Sequence, residues 1–149
     1  MTEKVLLDTN VLVYIYARVD PRKRAIAEEV ADTLIAAAQA VVSTQVLAEF
    51  FHTATRKLGI PPGIVQERLA HYAVLCDVLI ITTEVLAIAT RGVIQYQLSF
   101  WDALLWATAL VNQVRYILSE DFQDGIKLEG VQVMNPFTAT FDIGKLLPL

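Results

Sequence analysis

Apolar residues in this chain fall either in short unbroken runs or at helical spacing, and the alternation between the two predicts its elements. Val5, Leu6 and Leu7 form a run that suits a buried strand. Asp8-Thr9-Asn10 then interpose three polar groups before apolar residues resume at Val11, Leu12 and Val13. Val11 to about Ala17 reads as a short helix, and Pro21 opens a second that continues through an alanine-rich stretch to about Ala38. Ala40 to Ser43 is the next strand. Ser43 or Thr44 caps a helix carrying Val46, Leu47, Phe50, Phe51, Ala54 and Leu58, which stops at Gly59 before Pro61-Pro62. Another helix runs to about Leu75. Asp77 to Ile81 makes a third strand, and Thr82 or Thr83 caps a helix from Glu84 toward Tyr96. Ser99 begins the strongly apolar helix FWDALLWATALV. Arg115 to Leu118 and Val131 to Met134 are the last two strands, separated by the turn-rich Glu120 to Gly125 and closed by Asn135-Pro136-Phe137.

Short strands joined mostly through helices imply parallel pairing, because a parallel strand needs a crossover and the crossover is usually helical. The expected fold is α/β: a three-layer α/β/α sandwich around a central, mostly parallel, five-stranded sheet. With 149 residues the chain fits one domain, 1–149, able to bury roughly two-thirds of its unfolded surface. Its 55% hydrophobic content and mean hydropathy of +0.48 predict an apolar surface patch used for self-association or a partner.

Gly92 to Val114 carries a single charge, Asp102, over a length that could cross a bilayer. Gln95, Gln97, Ser99, Asn112 and Gln113 interrupt it, and a mid-span aspartate is opposed by roughly 2.5–3.5 kcal/mol. Two water-facing helices are expected instead, with no membrane association. The start, MTEKVLLDTN, lacks the basic and apolar regions of a signal peptide, and Cys76 is the sole cysteine, so the expected setting is the reducing cytoplasm without an internal disulfide. The net charge is −4, from 12 basic and 16 acidic residues, which taken alone argues against a nucleic-acid binder. Bases still cluster at Arg18, Arg22, Lys23 and Arg24 and at Arg56-Lys57, each read as a solvated helix end.

The acids carry the chemistry. Asp8 stands where a strand ends, the edge of a parallel sheet at which ligands collect, although Asp8 or Asn10 could equally cap the following helix. Glu49 follows the second strand, on a helix face that could be merely solvated. Asp102 completes Ser-x-x-Asp, a capping box, yet sits on an element apolar nearly all round. Asp121 follows the fourth strand in a loop that also holds Glu120 and Asp124. Together they place a carboxylate after three strands and at the start of a core helix. Two carboxylates at 4 Å repel by about 4 kcal/mol at an effective dielectric of 20, a cost that a divalent cation removes. Ligation by oxygen alone favours Mg²⁺ or Mn²⁺, which bind substrate phosphate and acidify water.

The stretches LLDTNVLVY, VVSTQVLAEFFHTATRKLG, LSFWDALLWATAL, ILSEDFQDG and VMNPF, in that order, resemble the PIN-domain ribonucleases, and more narrowly the VapC-type toxins of bacterial toxin–antitoxin pairs. The resemblance spans nearly the whole chain. It implies Asp8, Glu49, Asp102 and Asp121 as metal ligands and catalytic acids, Asp121 being favoured because it stands two residues past Ser119. Thr9, Asn10 and Ser119 would orient ligands and water. The activity implied is Mg²⁺- or Mn²⁺-dependent endonucleolytic hydrolysis of RNA by metal-activated water, in a homodimer held in check by an antitoxin protein. Gln45 is similar to a position near the family's substrate groove. His52, His71, Cys76, Trp101 and Trp106 are assigned to structure, the tryptophans to core or dimer packing.

Two other readings have distinct signatures. A haloacid-dehalogenase-type phosphohydrolase also begins with an aspartate after its first strand, but wants a second acid where Asn10 stands. A catalytically silent PIN-fold module binding RNA or a partner would have no use for four repelling acids. Flavodoxin-like cofactor binding lacks its glycine-rich phosphate loop.

Overall fold

The computed structural model describes residues 3–148; Met1, Thr2 and Leu149, which the one-domain reading includes, lie outside the described residues. The strands are β1 (Val5–Leu7), β2 (Ala40–Ser43), β3 (Asp77–Leu79), β4 (Tyr116–Leu118), β5 (Lys127–Leu128) and β6 (Val131–Met134). The helices are α1 (Thr9–Tyr16), α2 (Pro21–Ala36), α3 (Thr44–Arg56), α4 (Pro62–Leu75), α5 (Thr83–Tyr96) and α6 (Phe100–Val111), with a 3₁₀ turn at Ile143–Leu146. The sheet runs β3-β2-β1-β4-β6-β5 and is parallel throughout except for β5.

The strand order explains the layers. From β1 the chain steps outward through β2 to β3, then crosses back to β4 on the other side of β1. Right-handed crossovers made in opposite directions put their helices on opposite faces. Accordingly α1 packs on α2 and α3, and α3 on α4, while α5 and α6 pack on each other. Covered on both faces, Val5, Leu6 and Leu7 are wholly inaccessible to solvent, which is why that strand reads as a run rather than an alternation. Among the described residues no helix is long and apolar enough to cross a membrane.

The expected five strands become six. Lys127–Leu128 pairs antiparallel with β6 through the two-residue turn Glu129-Gly130, at φ +51° and +88°. Such a turn needs positive φ at both central positions, and a glutamate in the first of them is a weak sequence signal for it. The third strand ends at Leu79 rather than Ile81 because the Ile81 amide leaves the ladder and donates to Thr44 Oγ1 at 3.2 Å. The first helix begins two residues earlier than expected, with Asp8 itself at its N-cap position. The caps at Ser43, Thr82 and Ser99 form as the sequence implies, each hydroxyl accepting an amide of the first turn at 3.1–3.2 Å.

Trp106 and Trp101 part company. Trp106 is 1% exposed, donates its indole N–H to the Leu128 carbonyl at 3.1 Å and fills the interface of α5 and α6 against Gly92. Trp101 is 61% exposed, beside Phe100 at 5.1 Å between ring centroids. A Cβ on Gly92 would lie 2.8 Å from Trp106 Cζ3. Alanine is the better helix former by about 1 kcal/mol, but overpacking a filled interface costs about 1–3 kcal/mol. Gly92→Ala is therefore expected to lower the urea midpoint; an unchanged or higher midpoint would mean that the Trp106 ring can move aside freely.

Candidate functional site

β1 and β4 are neighbours from which the chain departs in opposite directions, so a crevice opens beyond their carboxyl ends. Register fills it. Leu7 pairs with Leu118, which places Asp8 beside Ser119, and the Asp8 amide extends the ladder by donating to the Leu118 carbonyl at 3.0 Å. The Asp8 carboxylate is 8% exposed. Its Oδ1 accepts the Thr9 amide at 2.7 Å, and its Oδ2 accepts the Ser119 hydroxyl at 2.6 Å and the Asn10 amide at 3.4 Å. The cap and the site are thus one group: Asp8 is the N-cap residue, whereas Asn10 lies inside α1 with its amide turned toward Asp8 and Ser119.

Ser119 joins the strand end to the loop beyond. While its hydroxyl donates to Asp8, its oxygen accepts the Asn10 amide at 3.3 Å and the Asp121 backbone N–H at 3.1 Å. Asp121 itself is exposed. Glu49, on α3, and Asp102, in the first turn of α6, are partly buried.

Electrostatics ties the four together. Burial pushes the Asp8 carboxyl up to about 6; the hydrogen bonds from Ser119 and Thr9 oppose this, and the charges of Asp121 and Glu49 add to it. Burial also raises Asp102, against the Ser99 hydroxyl beside it and with the charge of Asp121. The neighbours of Asp121 in its loop are otherwise engaged. Glu120 accepts the Tyr14 hydroxyl at 2.6 Å and the Lys23 ammonium at 2.7 Å, and Asp124 accepts the Asn135 amide at 2.8 Å. Asp121 is therefore the loop acid that Asp8 and Asp102 feel.

Among the described residues no three carboxylate, imidazole or thiol groups converge as a ready-made metal cage. Asp8 feels the charges of Asp121 and Glu49, and Asp102 that of Asp121, without the acids closing into a cage. Mg²⁺ is commonly held by only one or two carboxylates and several waters, so oxygen donors around a buried, charge-crowded carboxylate fit it. The Asn10 Oδ1 and Thr9 Oγ1 atoms, buried beside Asp8 and without a hydrogen-bond partner, agree with a ligand there.

A groove of about 430 Å³ leads away from Glu49, lined by Gln45, His52, Ile81, Trp101 and Leu104. Gln45 donates to the Trp101 carbonyl at 3.3 Å, and its Oε1 is buried without a partner. His52 is exposed there. His71 is exposed far along α4, and Cys76 is buried with its thiol pushed up to about 11 by burial.

Two residues around the site escape sequence reasoning. Tyr14 lies on the apolar pattern of α1, and Lys23 sits in a basic cluster read as a solvated helix end. Both hold Glu120, and Lys23 also lies 4.9 Å from the Tyr14 ring centroid and 5.5 Å from that of Phe137. The rest of that cluster goes elsewhere. Arg22 donates to the Phe137 carbonyl at 2.8 Å, while Arg18 and Arg24, with Lys57 of the second cluster, line a separate groove of about 600 Å³.

The sequence model of the PIN domain matches residues 5–123. The chain belongs to the PIN domain family. Solved structures share the fold. A toxin–antitoxin complex from Klebsiella pneumoniae superposes with a TM-score of 0.68 at 18% identity, over 89% of this chain and 98% of that one. VapC20 of Mycobacterium tuberculosis, a toxin that cleaves the sarcin–ricin loop, gives 0.63 at 18% identity over 79% and 92%. DNA-bound VapBC from Salmonella typhimurium gives 0.66 at 12% identity over 91% and 99%. Among curated protein sequences nothing matches. The PIN match reaches from β1 to the loop after β4 and so includes every acid of the crevice.

The Asp8 carboxyl gives a pH test with a definite sign. Its folded value of about 6 against the ordinary 3.8 means that the folded protein binds this proton more tightly than the unfolded chain. The stability it contributes is complete below about pH 4 and is lost as pH rises through 6, a change of about 3 kcal/mol. In EDTA, Asp8→Asn is expected to raise the denaturant midpoint at pH 8 and to leave it nearly unchanged at pH 4. Equal midpoints at both values would show that Asp8 is not under this strain.

Proposed function

We propose that this chain is a metal-dependent endoribonuclease of the VapC toxin type, with Asp8, Glu49, Asp102 and Asp121 as its catalytic, metal-binding acids. One observation carries the reading: at the switch point of a PIN fold, the buried Asp8 carboxylate, held by Ser119 and the Thr9 amide, is pushed up by burial and by the charges of Glu49 and Asp121. Anionic oxygens crowded in this way call for a hard divalent cation, Mg²⁺ or Mn²⁺. When bound, the ion supplies Lewis-acid stabilisation of charge developing on a phosphoryl oxygen and acidifies water.

The chain's own groups do the rest. Ser119 and the Thr9 amide fix both oxygens of Asp8, so that its orientation is set before any ligand arrives. Asp121 approaches from an exposed loop tied to the same hydroxyl, and Asp102 from a helix start held by Ser99. The open groove beside Glu49, with Gln45 and Trp101, gives an RNA strand a way in.

The rest of the reading follows the VapC pattern. The whole chain acts as one PIN unit in the cytoplasm, as a homodimer with an antitoxin partner. The exposed Phe51, Ile80, Leu86, Ile94, Phe100 and Trp101 provide apolar surface for such association. The crystallised neighbours from Klebsiella and Salmonella are themselves toxin–antitoxin assemblies.

Single-stranded RNA incubated with the purified chain and Mg²⁺ or Mn²⁺ should be cut internally, EDTA should stop the reaction, and Asp8→Asn should abolish it while the protein stays folded. Expression of the parent should arrest growth and the variant should not. Cleavage that survives Asp8→Asn would remove the assignment. RNA retained in EDTA but never cut would favour the binding module, and turnover of small phosphomonoesters without RNA would favour the phosphohydrolase.

A further inference from the structure

Asp121 is the least supported of the four acids. It is exposed, its loop from Glu120 to Gly125 contains no helix or strand, and its own backbone is tied to the site by one hydrogen bond, to Ser119. The residue between those two is anchored much more firmly. Glu120 receives the Tyr14 hydroxyl on one carboxylate oxygen and the Lys23 ammonium on the other, at 2.6 and 2.7 Å. Lys23 lies 3.3 Å from the Tyr14 hydroxyl as well and is packed against the rings of Tyr14 and Phe137, which meet edge-to-face at 5.0 Å. The ion pair is three-quarters shielded, with side-chain exposures of 28% and 22%, unlike the solvent-facing pairs elsewhere on the chain.

We propose that Tyr14, Lys23 and Glu120 form a clamp that positions Asp121 for the cation, so that Lys23, though a base, strengthens metal binding. The clamp rests on the nuclease reading above. Glu120 is held from α1 by Tyr14 and from α2 by Lys23, while Asn10 of α1 donates to Ser119, so Ser119, Glu120 and Asp121 are tied down at consecutive positions. With the clamp released, Asp121 keeps only its own N–H bond to Ser119 and the buried Phe122 ring on its far side, and the Glu120 turn between them can shift its carboxylate relative to Asp8 and Asp102.

The sign of one substitution separates positioning from mere charge. Lys23→Met removes a positive charge near an acidic crevice, so simple Coulomb attraction would tighten a cation. Loss of positioning would weaken it, by roughly 10–100-fold as for other residues that orient metal ligands. The measurement is Mn²⁺ titration of the full chain by calorimetry, without RNA. Weaker binding by Lys23→Met and recovery to near the parent value by Lys23→Arg are expected. In RNA cleavage the Mn²⁺ concentration for half-maximal rate should rise by the same factor, with KM for RNA at saturating Mn²⁺ unchanged. Should Lys23→Met not fold, Tyr14→Phe removes one clamp hydrogen bond without changing charge and should weaken Mn²⁺ in the same direction. Unchanged or tighter Mn²⁺ binding by the folded variant would overturn the clamp. A parent chain that neither binds Mn²⁺ nor cuts RNA would instead overturn the nuclease reading beneath it.

Discussion

A carboxylate confined to a nearly closed space is costly, and the register of β1 against β4 requires one here. Because Leu7 pairs with Leu118, the residue after each strand must share the crevice, and these residues are Asp8 and Ser119. Everything nearby answers to that confinement. The start of α1 gives an amide to one oxygen, Ser119 gives a hydroxyl to the other, and Glu49 and Asp121 stand close enough to make the charge harder to hold. A site that disfavours its own ionisation is one prepared to gain from a cation.

What the sequence makes legible is what neighbouring residues decide. Val5 to Leu7 and Ala40 to Val42 are unbroken apolar runs because both faces of their strands are covered, and Ser43, Thr82 and Ser99 act on amides three residues away. The crevice was legible for the same reason: acids recur at strand ends, and parallel topology gathers strand ends together. Asp8 and Asn10 read as alternative caps in the sequence, and the structure gives the cap to Asp8, whose carboxylate lies at the mouth of the sheet beside Ser119.

Distant pairings were not legible. Lys23 and Glu120 are 97 positions apart, and nothing near Lys23 in sequence distinguishes it from Arg22 or Arg24, whose partners are a backbone carbonyl and Glu28. Glu120, Asp121 and Asp124 are equally acidic on paper. Only the partners waiting in space, Tyr14 with Lys23 for one and Asn135 for another, distinguish them, and leave Asp121 as the one whose charge acts on Asp8. The two-residue β5 is hidden because its turn depends on a glutamate at positive φ, a backbone state that composition does not announce.

That small hairpin has a consequence for how the molecule meets others. A parallel sheet ending on β6 would present four residues of unpaired backbone to solvent, a template for a strand from another chain. β5 covers it with two residues, one of them Lys127, and the opposite border is β3, three residues long and beginning at Asp77, which is paired with Lys4. Borders this short, each starting on a charged residue, are a poor template for a further strand. Large exposed apolar side chains stand on the helices instead, among them Ile64, Val74, Ile94 and Trp101, so the surface offered outward there is one of side chains and not of backbone.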